Sequence, residues 1–262
     1  MSMRRQQRAR LARAAAIVLP LLLAALVGAS ADWARIQRAF FQPDVAADLF
    51  PRIVTVGVKN TLLITGIAFL GGLALGLLLA LMRLSSIAPY RWIATAYIEV
   101  FRGIPALVTL ILVGFAMPIA LGFRIPGRYG AAGVGLSLVA AAYMAETIRA
   151  GIQAVPKGQT EAAKSLGMGP TRTLVSIVIP QAFRIIVPPL TNELVLLLKD
   201  SSLVYVLGTT ADTIELSKLG RDAVSRSFNG TPITVVAILY LAITLPLTQV
   251  AARLERRGAR SR

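Results

Sequence analysis

Two side chains that carry much of protein chemistry are missing altogether: none of the 262 residues is a cysteine or a histidine. Without thiols there are no disulfides and no thiolate nucleophile. Without imidazole there is no Ser-His triad and no histidine metal site. Charge is scarce as well. Charged residues make up 15% of the chain, against about 25% in an ordinary soluble domain. The shortfall falls on the acids, with 12 Asp and Glu against 28 Lys and Arg and a net charge of +16. In a soluble chain such an excess would suggest nucleic acid. Here the basic residues stand between long apolar runs, which points to loops anchored at a membrane surface and not to nucleic acid. No Gly-Lys dipeptide occurs, so the G-x-x-x-x-G-K-[ST] loop that cradles nucleotide phosphates is absent. The chain reads as non-catalytic, with no catalytic residue, metal ligand or cofactor to nominate.

What is present is apolar sequence: hydrophobic residues make up 56% of the chain and the mean hydropathy is +0.69. A membrane-spanning helix needs roughly 20 mostly apolar residues. Six candidates run over about 14–30, 56–82, 97–122, 131–149, 185–208 and 231–251. Prolines 20, 105, 118, 188, 189 and 246 lie in or beside them, which membrane helices tolerate when neighbours satisfy the freed carbonyls. The first candidate has a second reading. Arg4, Arg5, Arg8, Arg10 and Arg13 precede an apolar run ending in Ala29-Ser30-Ala31, the pattern of a signal peptide as well as of a retained helix. Under either reading residues 31–53 lie outside the cytoplasm. With both termini in the cytoplasm, seventeen basic residues fall in cytoplasmic segments and eight in outer ones, as the positive-inside rule expects. Gly72 and Gly76 form a G-x-x-x-G pair and Gly130, Ala131, Ala132, Gly133 and Gly135 open the fourth span. Such small residues allow close helix packing, within the chain or, less commonly, at a dimer seam.

The connection 150–184 has helical pattern but no span-length apolar run, and long connections that are not disordered are usually functional. Thr160 is placed to cap a short helix starting at Glu161-Ala162-Ala163, where Glu161 suits the positive end of the helix dipole. Leu166 closes that helix and Gly167 and Gly169-Pro170 turn the chain. A second amphipathic stretch carries Leu174, Ile177 and Val178 up to Ile179-Pro180. On pattern alone it is either a docking element or a hairpin lying on the bilayer surface.

Glu161-Ala162-Ala163, then Gly167 after three residues, then Ile177 after nine, then Ile179-Pro180 resembles the EAA-x3-G-x9-I-x-L-P signature of ABC importer permeases, with Ile179 in the leucine position. Asn60-Thr61-Leu62, Glu99-Val100-Phe101-Arg102-Gly103-Ile104-Pro105-Ala106-Leu107, Ala142-Tyr143-Met144-Ala145-Glu146, Arg149-Ala150-Gly151-Ile152, Val155-Pro156-Lys157-Gly158-Gln159 and Leu198-Lys199-Asp200-Ser201-Ser202-Leu203 are similar to the histidine/glutamine/arginine/glutamate/opine branch. That branch usually has Thr where this chain has Ile104. The resemblance covers roughly residues 52–252. It implies an all-α, type I ABC importer permease-like transmembrane bundle of five core helices plus one N-terminal helix. The expected divisions are 1–51 (N-terminal helix and outer loop), 52–252 (permease domain) and 253–262 (basic tail).

The resemblance also implies a subunit for polar amino-acid import in a bacterial plasma membrane. Its implied partners are a separate ABC ATPase, a second permease subunit, an extracytoplasmic solute-binding protein and membrane lipid. Glu161, Ala162, Ala163 and Gly167 fall on the expected ATPase-docking helix, with Lys157 and Gly158 just before it. Ionisable groups inside spans are costly and point to a functional path. Asn192, Glu193, Lys199 and Asp200 are therefore candidates for lining it, Glu193 lying about 14 Å along the helix from Arg184. Lys199-Asp200 has a structural alternative as a helix interruption satisfied locally. Glu99–Arg102 and Glu146–Arg149, both spaced i,i+3, are expected to neutralise each other. Asp212, Glu215, Lys218 and Arg221 read as exposed positions of the outer segments. The competing class is a self-powered secondary transporter, which requires an internal repeat and an ion-coupling carboxylate cluster.

Overall fold

A computed structural model describes residues 2–123 and 125–260, and among them all regular structure is helical. Arg124 and Arg262, counted above among the basic residues, lie outside the described residues, as do the side chains of Arg4, Arg5, Arg8, Arg10, Arg13, Arg257 and Arg260. In chain order the helices are α1 (Ser2–Ser30), α2 (Trp33–Phe40), α3 (Pro43–Ala47), α4 (Ile53–Leu84), α5 (Ala88–Gly103), α6 (Ala106–Leu121), α7 (Gly130–Gln153), α8 (Lys157–Ser165), α9 (Pro170–Leu207), α10 (Leu216–Ser227) and α11 (Thr231–Arg260). Four of them, α4, α7, α9 and α11, are individually long and apolar enough to cross a membrane; counting each of two bent pairs as one span gives six.

Residues too small to keep neighbours apart build the centre. A Cβ on Gly72 would stand 2.7 Å from that of Ala140, and one on Gly76 would stand 3.0 Å from the Ala141 carbonyl oxygen. These glycines let α4 and α7 approach backbone to backbone, which is how helices associate where lipid removes the hydrophobic drive. The G-x-x-x-G pair thus serves packing inside this chain. Around the seam, Leu79, Ala94, Ile98, Ala145 and Ile148 form one buried cluster and Ile64, Leu110, Leu136 and Met144 another. The other flanks of these helices, such as Leu70, Leu77, Leu78 and Leu81, are apolar and exposed, as lipid-facing surfaces are.

Two expectations are corrected. The third span is not one helix: α5 and α6 meet at 106°. Pro105 offers no N–H to continue α5 and its ring disfavours the helical conformation at Ile104, which is extended at φ −95°, ψ 131°. The connection 150–184 is also shorter than expected. The stretch ending at Ile179-Pro180 is the first part of α9, and Pro180 enters without a break because residues 174–178 form a wider π-helical turn ahead of it. Only residues 154–169 lie between the two long helices, and α11 extends to Arg260.

Candidate functional site

At one end of the bundle, α8 hangs between α7 and α9. It begins at Lys157 after Pro156, which stands as the N-cap with extended backbone at ψ 130°, and not at Glu161, so Thr160 lies within the helix and does not cap it. Its end follows the expectation. The Met168 N–H donates to the Ala163 carbonyl at 3.0 Å and the Gly167 N–H to that of Lys164 at 2.9 Å. Gly167 has φ +75°, so this is a Schellman turn with glycine where left-handed backbone is needed. Ala163 is buried, whereas Lys157, Gly158, Glu161, Ala162 and Gly167 are exposed. Leu166 is 82% exposed. Leu166 caps the helix end as expected; a single exposed leucine is ordinary on a protein surface, so it marks a contact only together with the rest of the α8 face.

Behind α8, one carboxylate fastens two helices. Glu146 accepts from Arg83 of α4 at 2.7 Å and from Arg149 at 2.5 Å, and Arg149 also donates to Gln153 at 2.5 Å. The expected Glu146–Arg149 pair is therefore present, with a third member from across the seam. Glu99 and Arg102 do not pair. Glu99 is exposed and the Arg102 guanidinium lies 5.6 Å from the centre of the Tyr143 ring, the bend after Gly103 having carried it there.

That bend opens a cavity of about 410 Å³ between the α5–α6 elbow, α7 and α9, lined by Arg102, the Gly103–Ala106 backbone, Tyr143, Glu193, Leu196 and Asp200. Glu193 and Asp200 reach it together because seven residues are two helical turns. Asn192 and Lys199 share the same spacing one position earlier and so face elsewhere. Asn192 is exposed and donates to Glu255 of α11 at 2.9 Å, and Lys199 is exposed. Of four nominated path residues, two are brought together. Arg102 and Tyr143, which were not nominated for the path, join them. The cavity offers two carboxylates, one guanidinium and apolar walls, a set able to hold a small solute bearing both an ammonium and a carboxylate.

At the opposite end, buried polar groups close the loops. Asn60, 2% exposed, donates to the Asp212 and Ile214 carbonyls, both at 2.8 Å, and accepts from the Tyr129 hydroxyl at 2.6 Å. Glu215, expected to be exposed, is fully buried. It caps α10, accepting from the backbone N–H of Ser217 at 2.6 Å and of Lys218 at 2.5 Å; those donors draw the carboxylate inward. Burial pushes its pKa up to about 7, opposed by the same two N–H groups. Asp212 stays exposed beside Arg128, Lys218 pairs with Asp222, and Arg221 lies 4.2 Å from the Tyr205 ring centre.

Residues 72–260 match the family described as binding-protein-dependent transport system inner membrane component. The arginine transport system permease protein ArtQ of Bacillus subtilis is 38% identical over 202 residues, 77% of this chain and 90% of that protein. The glutamate/aspartate import permease protein GltK of Escherichia coli O157:H7 is 37% identical over 212 residues, 78% and 92% of the two chains. A solved amino acid ABC transporter with histidines superposes with a TM-score of 0.73 at 37% identity, over 81% of this chain and 96% of that one. A bacterial alginate ABC importer shares the fold at 18% identity, with a TM-score of 0.65 and 96% and 99% coverage.

Proposed function

Since the chain belongs to the family of binding-protein-dependent transport system inner membrane components, we propose that it is the permease subunit of an ABC importer for polar amino acids, driven through α8 by a separate cytoplasmic ATPase. The observation that carries this is α8 itself. It is a short helix rooted by Ala163, stopped by the Gly167 turn, and presenting Glu161, Ala162 and Leu166 outward. Small side chains permit close approach, Leu166 offers an apolar contact, and Glu161 can accept from a basic group on the partner. Because α8 is tied by a few residues to both α7 and α9, a push on it reaches the helix pair that frames the cavity.

The substrate class rests on the cavity together with the relatives, whose names speak of arginine and of glutamate and aspartate. In this reading Glu193 and Asp200 receive the substrate's ammonium and Arg102 its carboxylate, while Leu196 and Tyr143 exclude water. A second permease subunit completes the enclosure and a solute-binding protein delivers substrate at the opposite end, where Asp212 and Lys218 are candidate contacts. Both termini lie in the cytoplasm of a bacterial inner membrane if α1 is retained.

The test is reconstitution of the chain in vesicles with and without its co-expressed ATPase. Glu161→Lys and Gly167→Asp are expected to abolish ATP-driven uptake while leaving membrane insertion intact. Normal uptake and normal ATPase co-purification in both variants refute the docking role. Uptake of equal rate without any ATPase points to a self-powered transporter instead.

A further inference from the structure

We propose that α2 is an interfacial anchor: it lies in the headgroup layer of the bilayer, on the side opposite α8, with its aromatic side facing the acyl chains and its arginines facing phosphate. The segment lies outside the family match, which begins at residue 72. The chain turns by 79° between the end of α1 and the α2–α3 segment. If α1 runs along the membrane normal, α2 therefore runs along the membrane plane. Trp33, Ile36 and Phe40, spaced three and four apart, share one side of the helix, and Arg35 and Arg38 occupy the other. Short helices with this division bind bilayer surfaces by burying the apolar side and pairing the basic side with anionic headgroups.

No residue of α2 is buried by the rest of the protein, and Trp33 is 63% exposed. Yet the helix is fixed at both ends. Asp32 accepts from the Arg35 N–H at 2.9 Å, and the Trp33 indole donates to the Gly28 carbonyl at 2.7 Å. At the far end Gly230 and Asn229 donate to the Ala39 and Arg38 carbonyls at 2.7 and 2.8 Å. Phe40 rests its ring against Gly230 and Ile36 is half-buried, but Trp33 stands free; the exposed part of the apolar side needs a cover, and its neighbour on that flank identifies one. The exposed apolar residues of α1, among them Leu19, Leu22 and Leu26, make a lipid-facing surface that ends at α2. Indole and guanidinium are also the side chains that favour the membrane–water boundary. The anchor would fix the turn before α11 at a set depth.

The chain has two tryptophans, so Trp92→Phe leaves Trp33 as the sole indole in the intact protein, and transport is not needed for the readout. In vesicles of phosphatidylcholine and phosphatidylglycerol, lipid brominated near the headgroup is expected to remove half or more of the Trp33 emission. Lipid brominated near the chain end should remove less, and aqueous iodide little. Arg35→Glu with Arg38→Glu should weaken the shallow quenching, more so with phosphatidylglycerol than with phosphatidylcholine alone. Iodide quenching without lipid quenching overturns the proposal in favour of a solvated helix. Protection from both quenchers overturns it in favour of a covering protein, whether a second copy or another chain. Strongest quenching by the deep bromine overturns it in favour of an inserted segment.

Discussion

The two ends of the bundle are fastened by different chemistry. At the α8 end, Arg83, Glu146 and Arg149 hold α4 to α7 through ion pairs that leave each side chain about a quarter exposed. At the opposite end, Asn60, Tyr129 and Glu215 hold the loops through hydrogen bonds in which Asn60 and Glu215 are all but sealed from solvent. An ion pair open to water exchanges partners at little cost, since water compensates the separated charges. A buried amide or carboxylate has no such substitute, and each group left unpaired costs its full desolvation. The α8 end is therefore built to shift against its neighbours, and the opposite end to keep its shape. Substitutions at the first should alter coupling more than stability, and at the second the reverse.

The sharpest way to break that contrast is Asn60→Ala. It strips the Asp212 and Ile214 carbonyls of their donor and the Tyr129 hydroxyl of its acceptor, at a cost of about 3 kcal/mol. Thermal unfolding of the purified protein in detergent should fall by several degrees. An unchanged midpoint would show that water reaches this network and that the two ends do not differ. Glu215 sharpens the same point through pH. Its pKa, raised to about 7 from an ordinary 4.5, means that between those values the folded chain holds a proton the unfolded chain has lost. Stability from this group is therefore greatest below pH ~4.5, declines as pH rises, and levels off above pH ~7, by up to about 3 kcal/mol in all. Glu215→Gln should flatten that slope in unfolding midpoints measured across the range. A slope that persists assigns it to another group.

Between the ends, the cavity separates what the linear pattern did not. Asn192, Glu193, Lys199 and Asp200 are equally polar interruptions of one apolar helix, and their number alone nominates all four. The i,i+7 spacing divides them into two stripes, but which stripe faces inward depends on where the elbow of α5 and α6 stands. Proline in a membrane helix is compatible with a straight run, so Pro105 did not announce that elbow. Glu146 and Arg83 are 63 positions apart, a distance at which no local pattern pairs them. Glu215 looked solvated because it sits in a polar stretch, though a carboxylate just before a helix is also a cap. By contrast, the four long apolar spans, the glycine seam and the turn that ends α8 depend on short-range spacing, and all three were legible. Glu193→Gln should cut uptake by about tenfold, or ~1.4 kcal/mol, in ATPase-coupled vesicles, while Asn192→Ala leaves it near normal. Equal effects would merge the two stripes.

The smallest expected effect separates shape from chemistry at α8. No atom lies within 4 Å of where a Gly167 side chain would begin, so a substitution there meets no clash and only the left-handed backbone at φ +75° resists it. Asparagine adopts that conformation readily and a β-branched residue does not. Gly167→Asn should then cost well under 1 kcal/mol and leave ATP-driven uptake nearly intact. Gly167→Val should loosen the Schellman turn, costing about 1–2 kcal/mol, and lower uptake without changing insertion. Equal loss in both variants would mean that the partner requires a bare backbone at this position. In that case Gly167 acts by direct contact, and the turn it makes is secondary.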